Sequence, residues 1–171
     1  MSGWQKQAWL DGNWDIAAGQ FFTTFRRDVH VVEDFDDRRA VEWIAALDYG
    51  FTRYTVCLLG CRDADGNVFI VDEHAERLWL PQRHAAAIKA MLARHTVGSE
   101  ADKRPLALSD LKRFVAGADV FSRQSDGSTV AAQYARQGIT LRVANTDRVN
   151  GWAELLHCLG DIEAVKGTAD R

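Results

Sequence analysis

The sequence predicts an α/β protein, a mixed five-stranded sheet flanked by helices and preceded by an N-terminal arm. Three observations predict it. The stretch from Val41 to Glu73, VEWIAALDYGFTRYTVCLLGCRDADGNVFIVDE, reads as three apolar strands. They are separated by a glycine turn at Asp48, Tyr49 and Gly50 and by the Asp-Gly hairpin signal DADG at 63–66. Downstream of it, helical and strand patterns alternate, which extends an antiparallel start with parallel strands through helical crossovers. Upstream, residues 1–38 carry Trp4, Trp9, Trp14, Phe21, Phe22 and Phe25 without a sustained period, broken by Gly12 and Gly19. That composition suits an arm lying against a domain rather than a domain of its own.

The elements follow in order. The segment DVHVVEDFDD alternates briefly and reads as an edge strand, and Asp36, Asp37, Arg38 and Arg39 form a charged boundary before the core. After the three strands, Leu80 to His95 reads as a helix. Pro81 suits its first turn, the alanines at 85–87 and 90 favour it, and Ile88, Met91 and Leu92 give it an apolar face. Residues 97–104 read as a polar loop, and Leu106 to Phe114 as a short helix with Ser109 as cap. Val115 to Phe121 reads as a fourth strand carrying Asp119, followed by the polar loop SRQSDGS. Ser128 to Gln137 is a helix closed by Gly138, Ile139 to Ala144 a fifth strand, and Asp147 to Leu159 a final helix. The domain boundaries expected are 1–38 for the arm and 39–171 for the sheet domain.

Length and charge set bounds on function. At 171 residues the chain holds one domain with an appendage. A net charge of −3 gives no global signature of a nucleic-acid binder, although a carboxylate-lined metal site would itself lower the count. Cys57, Cys61 and Cys158 are odd in number and lack a second Cys/His pair at zinc spacing, so free thiols of a reducing compartment are expected. There is no basic-then-apolar leader, and no apolar run reaches the roughly 18 residues of a membrane span. The expected location is the cytoplasm, with no membrane partner.

The chemistry to look for lies at strand tips. A right-handed crossover brings the fourth strand beside the first, which sets Asp48 and Asp119 at one sheet edge. Two carboxylates that close repel unless they share a proton or a cation. A hard divalent ion, Mg2+ or Mn2+, answers that, and two such ions about 4 Å apart can activate water and stabilise a leaving oxygen in phosphodiester cleavage. Taken singly, Asp48 is equally a turn or capping carboxylate, and Asp119 is more often a loop-start cap. Asp72 and Glu73, at the end of the third strand, belong to a class of strand-end acids that are commonly solvated or capping.

A five-stranded mixed sheet with an acid at the end of its first strand resembles the ribonuclease H-like fold. The runs LDGNWDIAAGQFF, VHVVEDF and VEWIAALDYGFTRYTVCLLGCRDADGNVFIVDEHAE resemble the large terminase subunit of tailed bacteriophages, where its ATPase passes into its nuclease domain. The later run GADVFSRQSDGSTVAAQYARQGITLRVANTDRVNGWAELLHCLGD is similar to the second half of that nuclease domain. The resemblance implies a metal-dependent endonuclease that cuts concatemeric phage DNA during packaging in the bacterial host. Double-stranded DNA, the terminase small subunit and the portal protein are the partners it implies.

Carried over by position, Asp48 matches the family's acid on the first strand and Asp119 its acid at the end of the fourth, both as catalytic ligands of Mg2+ or Mn2+. Glu73 matches an acidic position that is less regularly a ligand. Arg148, in the run DRVNGW, is a candidate to touch a DNA phosphate, and Trp152 in the same run reads as core packing. The family's third acid lies on a helix beyond the last one read here, and Asp161, Glu163 and Asp170 are poor substitutes by position. No G-x-x-x-x-G-K-[ST] run is present either, so a truncated or remnant form is expected. Two alternatives stand beside the nuclease. One is a non-catalytic module of the same fold that docks DNA or a portal partner, and the other is an actin-like phosphate-binding domain.

Overall fold

Strand β1 (Ala40–Asp48) is the middle of the sheet, and the alternation of its side chains decides which face is the core. Trp43, Ala45 and Leu47 are buried, while Ile44, Ala46 and Asp48 face the other way and are exposed. In the computed structural model, which describes residues 22, 24–33, 35–125 and 127–160 with the side chain of residue 148 excepted, β1 begins a sheet of order β3-β2-β1-β6-β7. β2 (Thr55–Asp63) pairs antiparallel with β1, and β3 (Val68–Glu76) antiparallel with β2. After α2 (Pro81–Leu92) and a small ladder of β4 (Thr96–Val97) with β5 (Arg104–Pro105), β6 (Leu111–Ala116) returns parallel to β1. Then α3 (Val130–Arg136) leads to β7 (Arg142–Val143), parallel to β6. This is the mixed five-stranded sheet with helical crossovers expected from the sequence.

The core is built where α2 lies on the inward face of the sheet. Pro81, His84, Ala85, Ile88, Met91 and Leu92 are its buried residues, a helical i, i+3, i+4, i+7 stripe, and Pro81 sits in the first turn where its missing N–H costs nothing. They pack with Trp43, Ala45 and Leu47 of β1, Cys57, Leu59 and Cys61 of β2, Phe114 and Ala116 of β6, and Tyr134 of α3. A fully buried residue such as Leu59 or Ile88 contributes about 1.5–3 kcal/mol by burial. Cys57 and Cys61 are free thiols inside this core, and burial pushes them up to about 12 and about 11. The DADG hairpin between β2 and β3 is held by Asp63, whose carboxylate accepts from the N–H groups of Asp65 and Asn67 at 3.1 and 2.9 Å and from Arg39 at 3.0 Å. Gly66 takes the positive φ the turn requires, +90°.

Several local expectations are corrected. Leu106 to Phe114 is not a helix: a 3-10 turn at Leu108–Asp110 gives way to β6 at Leu111. Asp110 closes that turn on the Ala107 N–H at 2.8 Å while both its oxygens hold Arg104. The free edge of β1 then pairs with β6, a tertiary demand that overrides helical spacing. Asp119 consequently lies beyond the strand, on a 3-10 turn at Ala118–Phe121. The fifth strand shrinks to Arg142–Val143, and the polar loop at 97–104 is closed by the β4–β5 ladder.

The expected edge strand in DVHVVEDFDD is instead α1 (Arg27–His30) followed by a 3-10 turn at Asp37–Arg39. Asp36 accepts from the Arg38 N–H at 3.0 Å and Asp37 from the Thr96 N–H at 2.7 Å, so these acids cap the 3-10 turn and tie it to β4. Trp4, Trp9 and Trp14, with Asp161, Glu163 and Asp170, lie outside the described residues.

The chain divides into two units, Asp34–Thr146 with the sheet, and Met1–Glu33 with Asp147–Arg171. In the second, α4 (Arg148–Leu159) is capped by Asp147, which accepts from the Asn150 N–H at 3.1 Å. His30 Nε2 reaches the Leu159 carbonyl at 3.0 Å. Trp152, expected in a core, is 44 % exposed. Among the described residues no helix is long and apolar enough to cross a membrane.

Candidate metal centre

The parallel pairing of β1 with β6 creates the site. Leu47 lies opposite Ala116, so the next residues, Asp48 and Gly117, leave adjacent strands side by side, about 4.8 Å apart. The chain then turns through the 3-10 segment at 118–121, and Asp119 in its first turn folds back over Gly117. Its Oδ1 lies so close to the Gly117 Cα that a Cβ there would overlap it. Glycine at 117 is therefore what lets the Asp119 carboxylate lie against the end of the strand that neighbours Asp48.

Both carboxylates are exposed, and among the described residues neither accepts a hydrogen bond nor pairs with a cation. Several other acids of this unit are held, unlike exposed Asp65, Glu73 and Glu76. Asp72 takes Arg94 on both oxygens at 2.9 and 2.8 Å and His95 at 3.2 Å, Asp63 takes Arg39, and Asp110 takes Arg104. The Asp48–Asp119 edge is thus a place where negative charge gathers without an internal counterion.

The Asp48-Tyr49-Gly50 turn is fastened from both sides. Buried Thr55 donates its hydroxyl to the Gly50 carbonyl at 2.6 Å and accepts from the Gly50 N–H at 3.2 Å. A Cβ at Gly50 would meet the Arg53 and Tyr54 carbonyls at 2.8 Å, which explains the glycine. The Leu78 N–H donates to the Phe51 carbonyl at 2.7 Å, tying the loop after β3 to the loop after β1. Tyr49 points its ring inward, edge-on to His84 and Tyr134 with centroids 6.4 and 6.3 Å away. Its phenol is pushed up by burial.

His84 faces His74 across 2.9 Å from Nδ1 to Nε2, so one ring donates and the other accepts. Burial lowers both imidazoles below the ordinary histidine value; Glu76 opposes this at His74, and the neighbouring His74 adds to it at His84. Unfolded histidines take up protons below about pH 6.5 while this pair resists, so the folded state binds fewer protons and loses stability as the pH falls. The melting temperature is expected to drop between about pH 7 and pH 5.5, above the range in which carboxylates titrate. A His74→Asn/His84→Asn double variant flattens that slope, and an unchanged slope in differential scanning calorimetry would remove the pair as its cause.

The other expected site residues stand elsewhere. Glu73 is exposed on β3, opposite Leu58, and β3 is two strands from β1, about 10 Å. The structure does not set it beside Asp48. Asp72, its neighbour, is committed to Arg94 and His95. Arg148 opens α4 in the other unit, and its side chain lies outside the described residues.

Among the described residues no group of three or more His, Cys, Asp or Glu side chains is placed to hold a metal ion. Two unpaired carboxylates are nevertheless a donor set suited to Mg2+ or Mn2+, hard cations that commonly take one or two carboxylates and keep water in the remaining positions. Gly117 and Thr55 are the supporting residues that sequence reading missed. A glycine directly after an apolar strand and two residues before an acid was the available signal for the first.

No protein-family model and no curated protein matches the sequence. Solved structures do match in fold. The nuclease domain of the P22 large terminase superposes with a TM-score of 0.59 at 12 % identity, covering 82 % of this chain and 68 % of that one. The ADP complex of the large terminase of a thermophilic bacteriophage superposes with a TM-score of 0.60 at 18 % identity, covering 81 % of this chain. This chain spans 31 % of that terminase's length. The fold is therefore that of a terminase nuclease domain, the ribonuclease H-like architecture expected from the sequence.

Proposed function

We propose that this chain is a metal-dependent DNA endonuclease domain of the phage terminase type. The observation that carries the reading is the pair of unpartnered carboxylates, Asp48 at the end of β1 and Asp119 on the turn that follows its parallel neighbour β6. In the proposed role Asp48, fixed at the end of the central strand, and Asp119, folded over Gly117, hold Mg2+ or Mn2+ between them. When bound, one or two such ions supply the charge that activates water and stabilises the leaving oxygen of a phosphodiester. The residues supply position. The Thr55–Gly50 clamp and the inward Tyr49 ring hold the turn that follows Asp48, which fixes where its side chain leaves the strand.

Glu73 belongs to this reading only as an outlying acid that could steer a hydrated ion. Service in genome packaging, with a small subunit and a portal protein as partners, is the part of the proposal that rests on fold likeness.

Supercoiled plasmid tests the activity. Nicked and linear forms are expected with Mn2+ or Mg2+ and none with EDTA. Intact plasmid in both metals, from a folded chain that still binds DNA, would favour a non-catalytic module of the same fold.

A further inference from the structure

We propose that Arg53, Arg77, Arg83 and Arg123 form a clamp for the phosphate backbone of duplex DNA around the carboxylate pair; this rests on the nuclease reading above. The observation is an asymmetry of charge pairing within the sheet unit. At the pole where β1 starts, most cations are neutralised by carboxylates, Arg39 on Asp63, Arg62 and Lys112 on Glu42, and Arg104 on Asp110, with Lys103 and Arg113 the exceptions among the described residues. At the pole where β1 ends, they are not. Arg53 lies in the loop after β1, Arg77 directly follows β3, Arg83 is in the first turn of α2, and Arg123 follows the turn that carries Asp119. All four are exposed, and among the described residues none pairs with a carboxylate.

The same elements bring them to one rim. The Leu78–Phe51 hydrogen bond joins the loop of Arg77 to that of Arg53, and Gly50 packs directly on the Arg53 and Tyr54 carbonyls. The Asp119 turn, which Arg123 follows, starts beside the last residue of β1. The guanidinium groups are also oriented rather than loose. Arg83 stacks on Trp79 with its carbon 3.7 Å from the ring centroid, and Arg77 lies over Tyr54 at 5.7 Å. A stacked guanidinium keeps its in-plane N–H groups free for a phosphate oxygen.

Two carboxylates at the centre of this rim would repel a polyanion, and four unpaired cations around them offset that repulsion while fixing where the backbone lies. Duplex is favoured over single strand because two of the rim's rings, Tyr54 and Trp79, already carry arginines, which leaves exposed Phe51 as the rim ring without one among the described residues. Rings that capture unpaired bases need an open face.

The test is fluorescence anisotropy of a labelled duplex of about 30 base pairs, titrated with the full chain in EDTA across a salt series. The fourfold alanine variant is expected to bind at least about 30-fold more weakly, with the slope of log K against log salt shallower by about 0.9 for each arginine in contact. Arg53→Ala/Arg123→Ala, which removes no stacking on a ring, should weaken binding with a proportionate loss of slope. Arg62→Ala/Arg104→Ala at the opposite pole should stay within about twofold of wild type. Equal binding by wild type and the fourfold variant, an equal loss from the opposite-pole variant, or tighter binding to single-stranded DNA would overturn the clamp. Unchanged duplex binding would leave the four cations to an acidic protein surface. Because EDTA removes the metal, this assay fails or succeeds independently of nicking, so loss of the clamp and loss of the nuclease reading are separate results.

Discussion

Asparagine in place of Asp48 or Asp119 is expected to reduce metal-dependent nicking by about a thousandfold or more, the scale on which ligands of catalytic ions act. The substitution keeps shape and volume and removes one charge, so packing is untouched: both side chains are exposed and neither makes a hydrogen bond among the described residues. Without metal, removing one of two neighbouring carboxylates relieves repulsion, and each variant should melt at or slightly above the wild-type temperature. Activity lost with stability kept or gained separates a ligand from a structural acid. Because the two act on the same ion, the double variant should be no worse than either single one. Nicking at wild-type rate by either variant would discard its assignment.

Gly117→Ala is expected to cost about a hundredfold in nicking without touching a carboxylate, the size of effect that follows when a reacting geometry slips by about 1 Å. The added methyl would occupy the place of Asp119 Oδ1, and the nearest atoms are those of the Asp119 side chain. The backbone at 117 is extended, with φ −56° and ψ 154°, so alanine adopts it without strain. The cost therefore falls on where the carboxylate lies and not on folding. Manganese affinity should fall with the rate while the melting temperature holds. A variant that nicks as well as wild type would show that Asp119 does not act from its place over Gly117.

The two substitutions bear on different levels of what the residues disclose. The three-strand start is legible because β1 and β2 are short apolar runs bounded by turns and DADG ends in a glycine that can take positive φ. The neighbouring of β1 with the fourth long strand is legible from topology, since a right-handed crossover leaves the free edge of β1 as the next partner. The boundaries of that strand are not, because Leu111 and Phe114 have helical spacing and only the partner on β1 selects an extended chain. The place of Asp119 follows from that error: on a strand it would alternate with its neighbours, whereas the 3-10 turn folds it back.

Glu73 shows the reverse limit. Its closeness in sequence to the end of β3 suggests nearness to Asp48, yet the antiparallel order puts a whole strand between them. Pairing of charges is also hidden from composition. A net charge of −3 conceals one pole of mostly matched ions and another of unmatched arginines, because which acid meets which base is decided by the sheet.

Calorimetric titration of the metal-free chain with Mn2+ bears most directly on the shared ion. Wild type should give a saturable heat that both Asp48→Asn and Asp119→Asn weaken by at least about tenfold, since each supplies a charged oxygen to the same cation. Binding unchanged in both variants would contradict the account, for it would place the ion away from these two strand ends.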